Sequence, residues 1–285
     1  MNVGLCGLGK AGREFVNYTL TSDEFILRDV ICREESTTAN KTVTEVLGIV
    51  MPRIIRVTTI SEFDNANNLD VIVDFSNSKT SMSLLDLCCE KKINLVICTT
   101  DFTAQNINFI KEKTFNAGIG VVYAPALTIG INILINFVKN ISGIFREFNF
   151  EIIERHGKNK PKPTRTAQII SKNVQNAAAV QINSVRLDGY VGIHEVTATD
   201  GFERLSIVHE SFSRSAFVRG ALLACRYIHN KEGFYTMNEI LAELLTRNIT
   251  FKSYQGRGGV VHRYSLVALI FIYGVLRSLA RKLRE

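Results

Sequence analysis

Several features are missing from this 285-residue sequence, and each absence closes off a class of protein. There is no CxxC pair and no Cys/His spacing of a zinc site, so no metal is expected. No apolar run reaches the roughly 20 residues that span a bilayer. The uncharged stretch Tyr264–Leu276 has only 13. The opening "MNVGLCGLGKAG" lacks a charged n-region followed by a cleavable apolar stretch, and the expected location is the cytoplasm. No internal repeat or low-complexity segment is evident. Net charge is missing from the body of the chain too. Residues 245–285 hold eight of the 34 basic side chains and one of the 27 acidic ones, leaving 26 of each elsewhere. The formal charge of +7 therefore belongs to the tail, and no nucleic-acid footprint covers the rest. The six cysteines, Cys6, Cys32, Cys88, Cys89, Cys98 and Cys225, sit mostly in apolar runs and read as buried, reduced thiols.

Glycine, by contrast, is placed with a pattern. In "MNVGLCGLGKAGREFVNYTL" a short apolar run leads into Gly7, Gly9 and Gly12, spaced G-x-G-x-x-G, and then into helical periodicity. In a strand–turn–helix unit the first glycine allows the tight turn. The second lets backbone approach a pyrophosphate, and the third lets helix pack on strand. Lys10 and Ala11 complete the turn, and the helix N-terminus offers its free N–H groups to phosphate. The alternation continues through "EFILRDVICR", "DVIVDFS", "NLVICTT" and "IGVVYAPA", separated by amphipathic segments. Continuous apolar runs suit strands buried on both faces of a parallel sheet. The expected fold is α/β, a Rossmann-type doubly wound parallel sheet. Ligand contacts belong at the C-terminal strand ends, which include Cys98, Thr99, Thr100, Pro125, Ala126 and Leu127.

Cofactor choice rests on the end of the second strand, Cys32-Arg33-Glu34-Glu35-Ser36-Thr37. An Arg there suits the 2′-phosphate of NADP, and an acidic residue suits the ribose of NAD. Arg33 favours NADPH, with NADH as the alternative should the strand end further on and make Glu34 the deciding group.

From about residue 127 the pattern changes. "LTIGINILINFVKNISGIF" reads as a long apolar helix, "FNFEIIERH" as a strand and "TAQIISKNVQNAAAVQI" as a helix. "SVRLDGYVGIHEVTATDGFERLSIVHESFS" reads as two or three strands with turns at Asp188-Gly189 and Asp200-Gly201. "RSAFVRGALLACRYIH" and "MNEILAELL" read as helices. Grouped strands imply a smaller α+β domain with a mixed or antiparallel sheet. The expected division is residues 1–126 for the dinucleotide, with 214–244 packing back on them. Residues 127–213 form a substrate-binding and oligomerisation domain, and 245–285 a basic, apolar extension. That extension reads as a segment that lies on a membrane surface, docks on a neighbouring subunit or is a non-native addition.

The loop "ERHGKNKPKPTRTA", residues 154–167, carries one histidine among three lysines and two arginines. A solvated basic loop is the bland reading. However, Glu151-Ile152-Ile153-Glu154-Arg155-His156-Gly157-Lys158-Asn159-Lys160, followed by Pro163 and Thr166-Ala167, resembles the signature of the 4-hydroxy-tetrahydrodipicolinate reductase (dihydrodipicolinate reductase) family, with one residue deleted. "VIVDFS", "ICTTDF", "IGIN" and residues 192–221 agree with the same family, and the resemblance runs to about residue 244. It implies NAD(P)H-dependent reduction of a cyclic imino acid in lysine and diaminopimelate biosynthesis, and a homotetramer formed through the sheet domain. It also implies His156 as proton donor, with Lys160 assisting protonation or holding a carboxylate. These roles suit the side chains: histidine's ordinary pKa is about 6.5, and lysine supplies a point charge.

The departures fall at strand ends, where Cys98 and Asp101 stand for the family's glycines and Ala126 for its asparagine, and on the expected substrate clamp. Gly157 replaces the family's second histidine, Thr164-Arg165 its Ser-Gly, and Lys162 its aspartate. The candidate substrate contacts are Gly157, Lys160, Arg165 and Thr166, facing a small anionic substrate. Two readings stay open beside the lysine-pathway enzyme. One is a paralogous reductase of another imino or keto acid. The other is a catalytically inactive nicotinamide-binding protein.

Overall fold

The computed structural model describes residues 1–145, 147–175, 177–248, 255–256 and 259–260. The chain divides into two compact units, residues 1–129 with 211–237, and residues 130–210 with 238–285. The rest of the 245–285 extension, including the expectation of membrane contact, lies outside the described residues. Among the described residues no helix is long and apolar enough to cross a membrane.

The first unit is built on a seven-stranded sheet. Its elements, in chain order, are β1 (Asn2–Cys6), α1 (Lys10–Leu20), β2 (Ile26–Cys32), α2 (Val43–Leu47), β3 (Val57–Thr59), β4 (Val71–Asp74), α3 (Ser78–Lys91), β5 (Asn94–Ile97), α4 (Ala104–Ala117) and β6 (Gly120–Tyr123). Every pair is parallel: β1 with β2 and β4, β2 with β3, β4 with β5, and β5 with β6. The apolar runs behave as expected, with Val71, Ile72, Val73, Leu95, Val96 and Ile97 fully buried. Each such side chain contributes roughly 1.5–3 kcal/mol. An aspartate at Val73, which lies between Leu5 and Val96 in the register, would bury an unpaired charge. Helix starts carry their caps: Asn77 accepts from Thr80 N, and Thr103 forms a capping box with Asn106.

The second unit contains α5 (Ile129–Ile141), β7 (Asn149–His156), α6 (Arg165–Asn173), β8 (Ala179–Arg186), β9 (Gly192–Thr199) and β10 (Arg204–Ser211), of which Ile129 and Ser211 themselves group with the first unit. Its sheet has the order β10-β9-β7-β8 and is mixed, β7 pairing parallel with β8 and antiparallel with β9. Gly189 and Gly201 take positive φ, +94° and +93°, at the two Asp-Gly turns. The helical reading of "TAQIISKNVQNAAAVQI" runs too far. Helix α6 stops at Asn173, and Ala179 opens β8. The alanine run favours helix locally, but backbone pairing of Ala179–Arg186 with β7 overrides that preference.

The chain then returns to the first unit. Helix α7 (Ser215–Ile228) leads to β11 (Gly233–Thr236), which pairs parallel with β6 as the seventh strand. This strand is absent from the sequence reading because its four residues are only partly buried and show no apolar run. Helix α8 (Met237–Asn248) groups from Asn238 onward with the second unit, where Asn136 Nδ2 donates to Asn238 Oδ1 at 3.5 Å. A short pair, β12 (Gln255–Gly256) and β13 (Gly259–Val260), completes the described elements.

Candidate active site

In the first unit the glycine turn follows β1. Gly7 has φ +93°, and a Cβ there would stand 3.0 Å from the Phe75 carbonyl. A Cβ on Gly12 would lie 1.9 Å from the Gly7 oxygen, so helix and turn touch as the motif requires. Gly9 differs, having no atom within 4 Å of its would-be Cβ. Its lack of a side chain is not explained by packing, and it suits close approach by a ligand. Gly9 is also the N-cap of α1, with no side-chain capping bond and no acidic residue in the first turn. The first-turn N–H groups and Lys10 therefore form a cradle that fits a pyrophosphate.

The remaining expected cofactor residues lie beyond the C-terminal ends of strands of the same sheet. Thr99 is buried and its hydroxyl lies 3.1 Å from Ser81 Oγ, while Thr100 Oγ1 donates to Asp101. Asp74 sits beneath, fully buried, accepting from Ser76 N at 2.8 Å and from the hydroxyls of Ser76 and Ser81. Pro125, Ala126 and Leu127 follow β6, anchored where Ala124 N donates to Ile97 O. Helix α7 fits this loop through Gly220, whose Cβ would fall 1.9 Å from Leu127 O. Strand β2 ends at Cys32, so Arg33 is the first residue beyond it and is exposed. Glu34 turns to Ser61, accepting from its N–H at 2.9 Å and its hydroxyl at 2.7 Å.

In the second unit the site lies on one face of the mixed sheet. Residues two apart on a strand share a face, and cross-strand partners share it too. Glu154 and His156 therefore stand together on β7. In the register Glu154 is opposite Ser184 on β8 and His194 on β9, and His156 is opposite Arg186. Glu154 is fully buried. Its Oε2 lies 2.5 Å from His156 Nδ1. Its Oε1 accepts from Arg186 Nη2 at 2.6 Å and from Thr164 N at 3.4 Å. The His156 and His194 rings meet edge to face at 5.0 Å, and Thr164 Oγ1 lies 3.4 Å from His194 Nε2.

The electrostatics assign protons to these groups. Burial pushes the Glu154 carboxyl up, but hydrogen bonds from Arg186, Ser184 and His156 hold it below its ordinary value. It is a carboxylate and can only accept, so His156 Nδ1 carries the hydrogen between them. Burial pulls the His156 pKa down. Glu154 pulls it up, and Arg186 and Lys160 lower it again. His194 is pushed down to about 3, first by burial and then by His156, and is neutral. The free nitrogen of His156, Nε2, faces Gly192, where a Cβ would approach to 2.9 Å.

The basic loop is tied to this face. Arg186 donates from Nε to Lys160 O at 2.8 Å and from Nη2 to Pro161 O at 2.5 Å. Lys158 pairs with Asp188 at 2.5 Å on the surface. Lys160, Lys162 and Arg165 are exposed. Thr164 caps α6, its hydroxyl accepting from Ala167 N, so Arg165 and Thr166 follow directly on a residue that touches Glu154 and His194. A Cβ at Gly157 would meet only Tyr190 O, at 3.8 Å, so packing tolerates a side chain there. Arg186, Glu154, His194 and Gly192 were not singled out as site residues from sequence. Of these, only Glu154 carries a local signal, its two-residue spacing from His156 on a strand. Among the described residues no group of three or more His, Cys, Asp or Glu is arranged to hold a metal.

Comparison with known proteins gives the same direction. Residues 1–127 match the family model "Dihydrodipicolinate reductase, N-terminus", and residues 130–241 match "Dihydrodipicolinate reductase, C-terminus". A 4-hydroxy-tetrahydrodipicolinate reductase of Thermosipho africanus (strain TCF52B) is 36% identical over 176 residues, covering 61% of this chain and 79% of its own. The enzyme of that name from Wigglesworthia glossinidia brevipalpis is 28% identical over 241 residues, covering 82% and 89%. Among solved structures, a dipicolinate-bound dihydrodipicolinate reductase from Paenisporosarcina sp. TG-14 superposes with a TM-score of 0.68 at 19% identity, covering 83% of this chain and 97% of that one.

Proposed function

This chain belongs to the dihydrodipicolinate reductase family, and on that premise we propose that it reduces 4-hydroxy-tetrahydrodipicolinate with NADPH, using His156 as the proton donor. It is an oxidoreductase with a nicotinamide cofactor, held by the glycine turn of the first unit. When bound, the reduced nicotinamide supplies a hydride.

The observation that carries the assignment is the state of His156. Its Nδ1–H is committed to a buried carboxylate, and its Nε2 faces Gly192, whose missing Cβ would stand 2.9 Å away. In the imidazolium, Nε2–H is the transferable proton. It goes to the substrate atom that gains the electron pair when hydride adds to the unsaturated ring. Lys160, Arg165 and the α6 N-terminus at Thr166 supply the cations and N–H groups for substrate carboxylates. Lys162 adds a further charge. Gly157 leaves space where the family signature carries a histidine.

NADPH is favoured over NADH because Arg33 is the first residue beyond β2, while the Glu34 carboxylate is engaged by Ser61. We assign the first unit to the dinucleotide and the second to substrate and self-association. Strands β8 and β10 edge the second sheet and expose Val180, Val185 and Val208, which suits a homo-oligomer, a tetramer by family. A cytoplasmic location fits a biosynthetic reductase. The exposed Arg165 supports a second reading, a reductase of a different imino or keto acid.

The test is a steady-state screen of cyclic imino acids with NADPH and NADH. Oxidation of NADPH by 4-hydroxy-tetrahydrodipicolinate above all others is the expected result. Faster turnover of another imino or keto acid would favour the paralogue. NADPH binding with no hydride transfer to any of them would leave a binding protein.

A further inference from the structure

Arg186 spends its guanidinium in an unusual way for a residue outside the signature loop. Its side chain is only 5% exposed. It bonds the carboxylate of Glu154, the carbonyls of Lys160 and Pro161 in the loop, and Val185 O beside it. One planar group thus holds both the residue that orients His156 and the segment that carries Lys160. The groups facing His156 come from every neighbouring element: Glu154 from its own strand, Arg186 from β8, His194 from β9 and Lys160 from the loop.

A buried carboxylate facing an imidazole alone would hold the imidazolium proton tightly. A buried carboxylate with no cation would also tend to take a proton itself. Arg186 counters both tendencies. It keeps Glu154 ionised, so Nδ1–H remains the donor in that bond. It also shares the negative charge, so the imidazolium is not over-stabilised. His194 is neutral and adds no charge.

We propose that Arg186 is a positioning residue for the proton donor, acting through Glu154 to fix the His156 tautomer and to keep its Nε2 proton transferable. During turnover the Nε2–H bond breaks and the proton passes to the reduced substrate. The imidazole returns to neutral with Nδ1–H still on Glu154. Solvent then restores the Nε2 proton. The inference rests on reading His156 as the donor, and the test separates the two.

The test is the pH profile of kcat/KM for the full-length enzyme, with the His156 imidazole followed in parallel by NMR titration of the NADPH-bound protein. The high-pH limb reports loss of the donor's proton. Removing a cation makes the coupled pair harder to deprotonate. Arg186→Gln should therefore move that limb up by about one pH unit, and Glu154→Gln should move it down by a similar amount. Arg186→Lys keeps the charge and should restore the limb while activity stays reduced. A role confined to structure would lower activity with the limb unmoved, and that result overturns the proposal. Equal shifts in Arg186→Gln and Arg186→Lys overturn it as well. If Arg186→Gln does not fold, the Glu154→Gln shift decides: downward supports the proposal, and no movement defeats it. His156→Ala isolates the underlying reading, because full turnover in that variant removes the donor itself.

Discussion

His156 Nδ1 stands 2.5 Å from Glu154 Oε2, two residues apart on the same face of one strand. Neither side chain can turn away without unmaking a buried bond. Glu154 is further held by Arg186, and the His156 ring rests on His194. The proposed donor is therefore held in place by the protein alone, which suits a proton transfer in a water-poor site.

Gly192 borders the Nε2 nitrogen of the proposed donor. Gly192→Ala places a methyl 2.9 Å from Nε2 of a ring whose other nitrogen is tied down. A fall of about 100-fold in kcat/KM is expected, because displacements near 1 Å at a reacting group cost that much. NADPH affinity, read by fluorescence titration, should stay within twofold, on the order of experimental scatter. Unchanged turnover would mean Nε2 is not the reacting nitrogen.

His194 ties stability to pH. Folded, it stays neutral down to about 3, whereas unfolded it titrates near 6.5. Between those values the unfolded chain binds the extra proton. Stability from this group is thus fully present above about pH 6.5 and falls as pH drops, by up to about 1.4 kcal/mol per pH unit. Denaturant melts across that window should show the slope, and His194→Gln should flatten it. An identical slope in the variant would place the titration elsewhere.

Arg33 is expected to select the cofactor. Arg33→Ala should raise KM for NADPH about tenfold or more, the worth of a charged hydrogen bond, with KM for NADH little changed. Equal effects on both cofactors would show that Arg33 does not meet the 2′-phosphate.

Arg165 stands where a glycine belongs in the family signature. If it holds a substrate carboxylate, Arg165→Ala should raise substrate KM about tenfold and leave kcat nearly unchanged, as loss of uniform binding does. A gain in activity would instead mark it as an obstruction.

Much of this was legible in the chain itself. The G-x-G-x-x-G turn and the apolar runs dictated the parallel sheet, because period and burial are local properties. The E-x-H spacing on a strand carried the signal for a carboxylate beside the histidine, since residues two apart share a face, but Glu154 was not singled out from it. Arg186 and His194 were not legible, since they meet His156 and Glu154 only through the registers of β8 and β9. The alanine-rich start of β8 was read as helix, so only the end of that strand, ahead of the Asp188-Gly189 turn, was legible. Strand β11 was missed for a similar reason, as pairing with β6 and not its own pattern makes it a strand.

The most direct measurement is steady-state NADPH oxidation with 4-hydroxy-tetrahydrodipicolinate by the intact chain and by His156→Ala. The intact chain should turn over, and the variant should lose about 100-fold or more in kcat, the range of general acid catalysis, while binding NADPH as before. Full turnover by His156→Ala, or no turnover by the intact chain with NADPH bound, would contradict the account.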